Sequence, residues 1–215
     1  MYTDIINGIE ISVLDIPGSK TAEHVFNEFK NNQYGLEDLD IRSTDLVIDV
    51  GANIGIFSIY VKKKFGCNII SFEPVPSIYD LFKTNIELNN LLVSDFDLHN
   101  SAITNNEGSM IEIGTPYDNS GGSSKFYRDG WKISECKTER LNKYLDEKCK
   151  YLKIDCEGSE YDIIPGIIDK LSNIENIGIE YHKIDNLNYD PNFLHRLLSS
   201  NFNGGIYTNI ELHNK

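Results

Sequence analysis

The chain has 215 residues, of which 40% are hydrophobic and 25% charged, so its size and composition suit one α/β domain with a sizeable core. Its formal net charge of −13 at pH 7 leaves no excess of Lys and Arg for binding nucleic-acid phosphates or an anionic membrane surface. We therefore expect neither a nucleic-acid partner nor membrane insertion, whereas catalysis on a small or neutral substrate remains open.

Cellular location is predicted from features that the sequence lacks. No apolar run approaches the roughly 20 residues of a membrane span, and the start, "MYTDIINGIEISVLD", has no basic segment followed by an apolar block. The four cysteines form no C-x-x-C pair and no Cys/His cluster with zinc spacing. A reduced, cytoplasmic protein is the simplest interpretation.

Residues 1–44 are predicted to form a small N-terminal cap. The segment "GIEISVLD" is a candidate strand, and "AEHVFNEFKNN" is a candidate helix because Val25, Phe26 and Phe29 share one helical face. Tyr34 follows that helix. It is a candidate for the wall of a binding pocket, although an aromatic residue in such a place is more often a packing residue.

From residue 45 to residue 215 strands alternate with helices. The apolar run "LVIDV" (46–50) is typical of a strand buried on both faces of a parallel sheet, and the next helix is expected to start with Asn53 as its N-cap. Pro165 is expected to interrupt a later helix. Further strands are predicted in "CNIISFE", "FDLHNSAI", "YLKID", "NIGIEY" and "GIYTNIEL". The alternation predicts an α/β fold with a doubly wound, mostly parallel, Rossmann-like sheet.

One stretch, about residues 104–140, does not follow the alternation. It contains "EGSMIEIG", a possible extra strand, and then the Gly/Ser/Asp-rich segment "TPYDNSGGSSKFYRDGW". This segment is too long for an ordinary connection, so it is either a functional flap or a surface loop.

The segment "DVGANIG" (49–55) follows the first strand of the predicted sheet, where doubly wound sheets bind their ligands. The next helix is expected to start near Asn53 or Ile54, so that free backbone N–H groups point into the crevice. Gly51 and Gly55 are expected to let the backbone come close to a ligand.

This segment does not match the dinucleotide fingerprint G-x-G-x-x-G, because Asn53 occupies the middle glycine position and Gly55 comes one residue early. Asp49 would repel a pyrophosphate but suits a ligand that carries an amino group. S-adenosylmethionine (SAM) has an ammonium, a carboxylate and a sulfonium but no phosphate, so the segment favours SAM over a dinucleotide.

The next two strand ends support a nucleoside ligand. Glu73, in "SFEP", can accept hydrogen bonds from both ribose hydroxyls, and "HNSAI" (99–103) would lie at the adenine edge. An acidic strand end is also often a solvated or capping residue. The three features together, in this order, are a stronger signal than any one of them.

These motifs resemble those of the FkbM family of SAM-dependent methyltransferases. The resemblance is carried by "VIDVGANIG", "SFEP", "LKIDCEGSEYDIIPG" and "IGIEYH", and it runs from about Phe26 to about His182. It implies a class I methyltransferase fold and O-methylation of a hydroxyl on a sugar or secondary metabolite. The sequence departs from the family at "TERLNKYL", where a Leu-Asp pair is usual, and it has little chain left for a two-strand hairpin at the C-terminus.

The motifs and the resemblance together give a set of candidate donor-binding residues on the cap, the glycine segment and the next two strand ends. They are Tyr34, Asp49, Gly51, Ala52, Asn53, Gly55, Glu73, Pro74, Asn100, Ser101 and Ala102.

The acceptor site is expected at two later strand ends, with Asp155 and Glu157 in "KIDCEGSE" and Glu180 and His182 in "IEYH". A hydroxyl acceptor needs an aligned base or a metal. His182 is the first candidate for that base because its unperturbed pKa is near neutrality, and Asp155 is the second; Glu180 is the third candidate catalytic residue. A buried or surface histidine with no catalytic role is the alternative interpretation.

A metal ion is also considered for this site. Asp155, Glu157 and Glu180 could hold Mg²⁺ or Ca²⁺ through oxygen ligands, although acidic strand ends also serve as helix caps. Glu160 lies in the first turn of the next helix, where the helix dipole alone favours an anion.

The predicted function is methyl transfer from SAM to a small-molecule or glycan acceptor. Two alternatives stay open: a nicotinamide-dependent oxidoreductase on a similar sheet, and a non-catalytic nucleoside-binding protein of the same fold. The missing dinucleotide fingerprint counts against the first.

Overall fold

The computed structural model describes residues 1–184 and 190–209, in which strands and helices alternate along most of the chain. The strands are β1 (Tyr2–Ile6), β2 (Ile9–Val13), β3 (Leu46–Val50), β4 (Asn68–Phe72), β5 (Asp97–His99), β6 (Ala102–Ile103), β7 (Met110–Thr115), β8 (Lys132–Glu139), β9 (Tyr151–Ile154), β10 (Asn176–Glu180) and β11 (Gly205–Asn209). The α-helices are α1 (Thr21–Lys30), α2 (Ile56–Phe65), α3 (Pro76–Leu88), α4 (Glu160–Gly166) and α5 (Pro191–Asn201).

Six strands form the central sheet, in the order β11-β10-β9-β3-β4-β5, and every pairing between them is parallel. The strand order reverses between β3 and β9, which makes their carboxyl ends the switch point at which such sheets bind ligands. The predicted doubly wound, parallel α/β sheet is confirmed.

Each face of this sheet packs against its own apolar cluster. Val47 of β3 points into one cluster, with residues of α2 and α3, whereas Ile48 points into the other, with residues of α4 and α5. Side chains that alternate between two buried faces explain why the strand sequences are continuously apolar.

The N-terminal residues form a hairpin, β1 with β2, and then α1. The strand in "GIEISVLD" and the helix are confirmed. Strand β1 is not among the predicted elements, although Asn7 and Gly8 have φ of 49° and 83° and form the two-residue Asn-Gly turn typical of hairpins.

The predicted cap shares a core with the central domain. Phe26 and Phe29 of α1 belong to the same buried cluster as residues of α2 and α3. On α3, the buried Asn85 side chain accepts a hydrogen bond from the Leu14 N–H (2.7 Å) and donates to the carbonyls of Leu14 (3.0 Å) and Ile54 (2.9 Å). This amide therefore ties the N-terminal segment to the loop that precedes α2.

Residues 104–140 differ from the prediction. The possible strand in "EGSMIEIG" is confirmed as β7, but β8 in the same stretch is not predicted, and β6, β8 and β7 form a separate three-stranded sheet. The predicted strand "FDLHNSAI" is wrong as one element, because the chain leaves the central sheet after His99. The Asn100 side chain fixes that turn by donating to the carbonyls of Glu73 and Pro74, at 2.9 Å each.

Two helix boundaries test the sequence signals. Asn53 is not the N-cap of α2, which begins at Ile56 after Gly55; Asn53 itself has φ of 51° and lies within the preceding turn. The predicted interruption at Pro165 is confirmed: α4 ends at Gly166, and a 3-10 helix follows at Ile168–Asn173.

Among the described residues, no helix has the length and apolar character needed to cross a membrane.

Candidate active site

The candidate site lies beyond the carboxyl ends of β4, β3, β9 and β10, on both sides of the switch point. A cleft in this place encloses about 880 Å³, counting space open to solvent. Eight of the eleven predicted donor residues line it: Tyr34, Gly51, Ala52, Asn53, Glu73, Pro74, Ser101 and Ala102. The structure thus brings together the cap, the glycine segment and the ends of β4 and β5.

The other three predicted donor residues contact protein groups. The Asn100 amide holds the end of β4, as described above. Asp49 is fully buried, and its Oδ2 accepts a hydrogen bond from the Ser58 hydroxyl at 2.7 Å. Gly55 lies against the ring of Phe82, where a Cβ atom would come within 1.9 Å of a ring carbon.

The glycines of the turn serve protein packing. Gly51 has φ of +81°, and a Cβ at this position would lie 1.8 Å from the carbonyl oxygen of Asp155. The expectation that Gly51 and Gly55 let the backbone approach a ligand stays a prediction. Gly51 lines the cleft and also lets β3 approach the end of β9, and Gly55 makes room for Phe82.

The backbone N–H groups of the turn are used within the protein, which differs from the expected free donors. Gly51 and Ala52 donate to the Phe72 carbonyl (3.1 and 2.9 Å), and Asn53 donates to Glu73 Oε2 (2.9 Å). The N–H of Ile54 donates to the Asn53 side chain (2.6 Å), and that of Gly55 donates to the Ala52 carbonyl (2.9 Å). The N–H groups of Gly51 to Gly55 therefore have acceptors within the protein and are not free to bind a phosphate group.

Glu73 is fixed at the end of β4 with its carboxylate in the cleft wall. Its two oxygens accept the N–H groups of Asn53 (2.9 Å) and Val75 (2.8 Å), and the residue is 5% exposed. Burial raises its pKa to about 7, although these two hydrogen bonds act to lower it. Since a carboxylate has about four lone-pair sites, Glu73 keeps capacity to accept from ribose hydroxyls.

Lys153 is a site residue that our sequence analysis misses. It is 4% exposed, and its Nζ donates to the Gly51 carbonyl (3.1 Å) and lies 3.3 Å from both Asp49 Oδ1 and Asp155 Oδ2. Burial acts to lower the pKa of Lys153, but Asp155 and Asp49 raise it, and the net shift is upward. Lys153 therefore carries a charge inside the protein, between two carboxylates at the switch point.

The Gly/Ser-rich segment after β7 forms one wall of the cleft. Ser120, Gly121 and Ser123 to Lys125 contribute to its lining. The Ser124 hydroxyl donates to the Glu157 carbonyl at 2.7 Å, the Gly121 N–H donates to Thr21 Oγ1 at 3.0 Å, and the Lys125 ammonium pairs with Asp162. Of the two interpretations left open for this segment, the structure favours a flap that is anchored to both the cap and the end of β9.

A wide groove continues from the cleft between the cap and the flap. Its walls carry the carboxylates of Glu28, Asp155, Glu157 and Glu180, and the flap side adds aromatic rings. Glu28, on α1, is a second residue that the sequence does not single out. It accepts a hydrogen bond from the Tyr34 hydroxyl at 2.6 Å, and burial raises its pKa to about 7, helped by the charges of Asp155 and Glu180.

His182 lies behind this wall and is 2% exposed. Its Nδ1 lies 3.1 Å from Glu160 Oε1, and its Nε2 lies 3.5 Å from Glu180 and 3.6 Å from Glu157. Burial acts to lower its pKa, but the Glu160 carboxylate raises it, so the net value is well above the ordinary value of 6.5. This environment therefore does not give His182 the near-neutral pKa that the predicted role as a base requires.

A comparison with protein families decides how this site is to be interpreted. Residues 49–203, more than half of the chain, match the model of the methyltransferase FkbM domain. The chain belongs to the FkbM methyltransferase family. The resemblance seen in the motifs is thus confirmed, and membership implies SAM as the methyl donor.

Two relatives of this FkbM-family chain are also named as methyltransferases. "Methyltransferase 1" of Beauveria bassiana (strain ARSEF 2860) is 28% identical, over 62% of this chain and 63% of that protein. "Methyltransferase sdnD" of Sordaria araneosa is 38% identical, over 33% of this chain and 27% of that protein. The chain therefore spans less than two thirds of the length of these relatives.

Among solved structures, P. horikoshii TYW2 in complex with MeSAdo aligns with a TM-score of 0.33 and 15% identity, over 51% of this chain and 50% of that chain.

Replacing Gly51 tests the packing role of the turn. Gly51→Ala should lower the free energy of unfolding by at least about 3 kcal/mol, because it adds a backbone clash to the strain of a left-handed residue. Gly108→Ala is the matched control: Gly108 has φ of +75°, but a Cβ there would have no neighbour within 4 Å, so only the strain of about 1–2 kcal/mol applies. Urea unfolding followed by circular dichroism gives both values. Equal losses would show that the Gly51 clash is relieved at no cost.

Proposed function

We propose that this protein transfers the methyl group of SAM to a hydroxyl group of a small-molecule or glycan acceptor. One observation carries the proposal beyond family membership: Asp155 and Glu157 line both the donor cleft and the acidic groove. A group bound in the groove would therefore meet the reactive end of a donor bound in the cleft at these two carboxylates.

The donor assignment rests on the chemistry of the cleft. Glu73 would accept hydrogen bonds from the ribose hydroxyls, and Ser101 and Ala102 would lie beside the adenine. The backbone N–H groups from Gly51 to Gly55 donate to protein acceptors. This turn therefore lacks the free N–H groups that a pyrophosphate requires. This favours SAM over the nicotinamide dinucleotide of the alternative interpretation.

The acceptor assignment rests on the carboxylates of the groove. Methyl transfer is an in-line displacement at the sulfonium carbon, so the protein has to align the acceptor and take its proton. Asp155 is the best-placed proton acceptor because it lies at the junction of cleft and groove, where Lys153 holds one of its oxygens at 3.3 Å. Glu160 raises the pKa of His182 and so favours the imidazolium form, in which both ring nitrogens carry protons and neither can accept another, so His182 is better suited to positioning Glu180 and Glu157 than to acting as the base.

Donor binding is tested with the product, S-adenosylhomocysteine. Glu73→Gln keeps the size of the side chain but removes its charge, and should weaken binding about tenfold, since charged hydrogen bonds contribute about 1.5–3 kcal/mol. Because the pKa of Glu73 is about 7 and the ionised form is the stronger acceptor, wild-type affinity should rise between pH 6 and pH 8. The affinity of Glu73→Gln should not change over that range.

Calorimetry provides these affinities. The control is Glu87→Gln, which makes the same change from carboxylate to amide at an exposed position of α3. Unchanged binding by Glu73→Gln would remove Glu73 from the donor site. Tight binding of NAD(H) with none of S-adenosylhomocysteine would contradict the donor assignment altogether.

Proton removal is tested by turnover with [methyl-13C]SAM and a panel of hydroxylated sugars and secondary metabolites. The labelled carbon should appear as an O-methyl group, and Asp155→Asn should lower kcat by about 10²–10⁴ with product affinity nearly unchanged. Asp146→Asn, which changes an exposed carboxylate paired with Lys170, is the control. Label found on nitrogen or carbon would contradict O-methylation, and wild-type turnover by a folded Asp155→Asn protein would exclude Asp155 as the base.

A further inference from the structure

Three side chains with metal-binding atoms converge where the groove meets β9 and β10. Asp155, Glu180 and His182 each offer one ligand atom, and the three atoms lie within 4.8 Å of one another. Bonds of about 2.1 Å to one ion would hold such atoms about 3–4 Å apart, so small side-chain adjustments would bring all three to one ion. Asp155 and Glu180 line the groove, so such an ion would face the acceptor.

The histidine of this cluster is held in one orientation by a carboxylate that has no exposure of its own. Glu160 Oε1 and Oε2 accept the N–H groups of Cys156 and Gly158, at 2.9 Å each, and Glu160 Oε1 lies 3.1 Å from His182 Nδ1. With Nδ1 engaged, Nε2 is directed toward Glu180, and a metal ion bound at Nε2 would displace the proton that this nitrogen carries in the metal-free protein. Metal-binding histidines have this arrangement, in which the other ring nitrogen donates to a carboxylate. This contact between His182 and Glu160 distinguishes the cluster from an ordinary group of acidic side chains.

The charge balance around the cluster also favours a cation. Five carboxylates surround it. Among the described residues, Lys153 and His182 are buried cations that form ion pairs with these carboxylates, Arg128 also lines the groove, and Lys125 lines the cleft and pairs with Asp162. The five are Glu28, Asp155, Glu157, Glu160 and Glu180. Burial raises the pKa of Glu28, across the groove, to about 7, and the charges of Asp155 and Glu180 add to this shift. A divalent ion would offset this excess of negative charge where an acceptor hydroxyl has to lose a proton.

We propose that Asp155, Glu180 and His182 bind one divalent metal ion at the inner end of the acceptor groove, with Glu160 orienting the histidine. Two carboxylates and one imidazole suit a first-row ion such as Mn²⁺ better than Ca²⁺, which prefers an all-oxygen shell. The imidazole thus changes the expectation of Mg²⁺ or Ca²⁺ that oxygen ligands alone suggest. The role of the ion toward an acceptor rests on the proposed function, but its binding does not.

Binding is measured with Mn²⁺ on EDTA-treated, full-length protein by electron paramagnetic resonance, in which the signal of free Mn²⁺ falls as the ion binds. Wild-type protein should take up one Mn²⁺ per chain. His182→Gln and Glu180→Gln should each weaken binding at least tenfold. Glu175→Gln, which removes an exposed carboxylate paired with Lys150, should bind as wild type does.

Two further measurements keep the test decisive if a variant does not fold. Electron spin-echo modulation of wild-type protein with Mn²⁺ should show coupling to an imidazole nitrogen, which a purely carboxylate site would not produce. Calorimetry of S-adenosylhomocysteine with metal-free protein should give normal affinity, which separates this site from the donor site. Absence of stoichiometric Mn²⁺ uptake, or uptake without nitrogen coupling, would overturn the metal site and leave the proposed methyl transfer standing.

Discussion

The ammonium group of Lys153 lies inside the protein between two carboxylates and a carbonyl oxygen, where the strand order of the central sheet reverses. Its nitrogen lies 3.3 Å from Asp49 of β3 and 3.3 Å from Asp155 after β9, and it donates to the Gly51 carbonyl at 3.1 Å. Taking a charge out of water costs several kcal/mol, and only close partners of opposite charge offset that cost. The Lys153 ammonium therefore also fixes the positions of its three partners, which are the carboxylates of Asp49 and Asp155 and the carbonyl of Gly51.

The site geometry follows from this arrangement. Because Gly51 has no side chain, the glycine turn can approach the Asp155 carbonyl, and the lysine can reach oxygens on both strands. Asp155 is thereby placed between the donor cleft and the acceptor groove. The next strand, β10, pairs with β9 in parallel and brings Glu180 and His182 to the same edge. The acidic groove is thus built outward from one buried ion-pair network.

Local patterns predict the sheet well but predict the site less completely. Continuous apolar runs such as "LVIDV" (46–50) identify the parallel strands because both sheet faces are covered. Glu73 and Asp155 could be placed because strand ends in a parallel sheet share one edge. The sequence does not predict a strand at residues 132–139, since their polar residues give no apolar pattern and their partners lie in a separate sheet.

Long-range contacts explain what sequence patterns miss. A lysine within "YLKID" gives no sign of burial, because one of its partners, Asp49, lies 104 positions earlier in the chain. Glu28 is one of two acidic residues on α1, and it becomes part of the groove only when the cap packs on the domain. The sequence identifies the glycines of the turn but not their packing contacts, because the groups that they contact, Asp155 and Phe82, are distant in sequence.

The coupling between Lys153 and Asp49 is most directly measured by a double-mutant cycle in the free energy of unfolding. Lys153→Met alone should be strongly destabilising, because it leaves a buried carboxylate without its partner, whereas Asp49→Asn removes that charge. The account predicts that the double variant is more stable than Lys153→Met, with a coupling energy of about 1–3 kcal/mol. Additive losses from the two substitutions would contradict it.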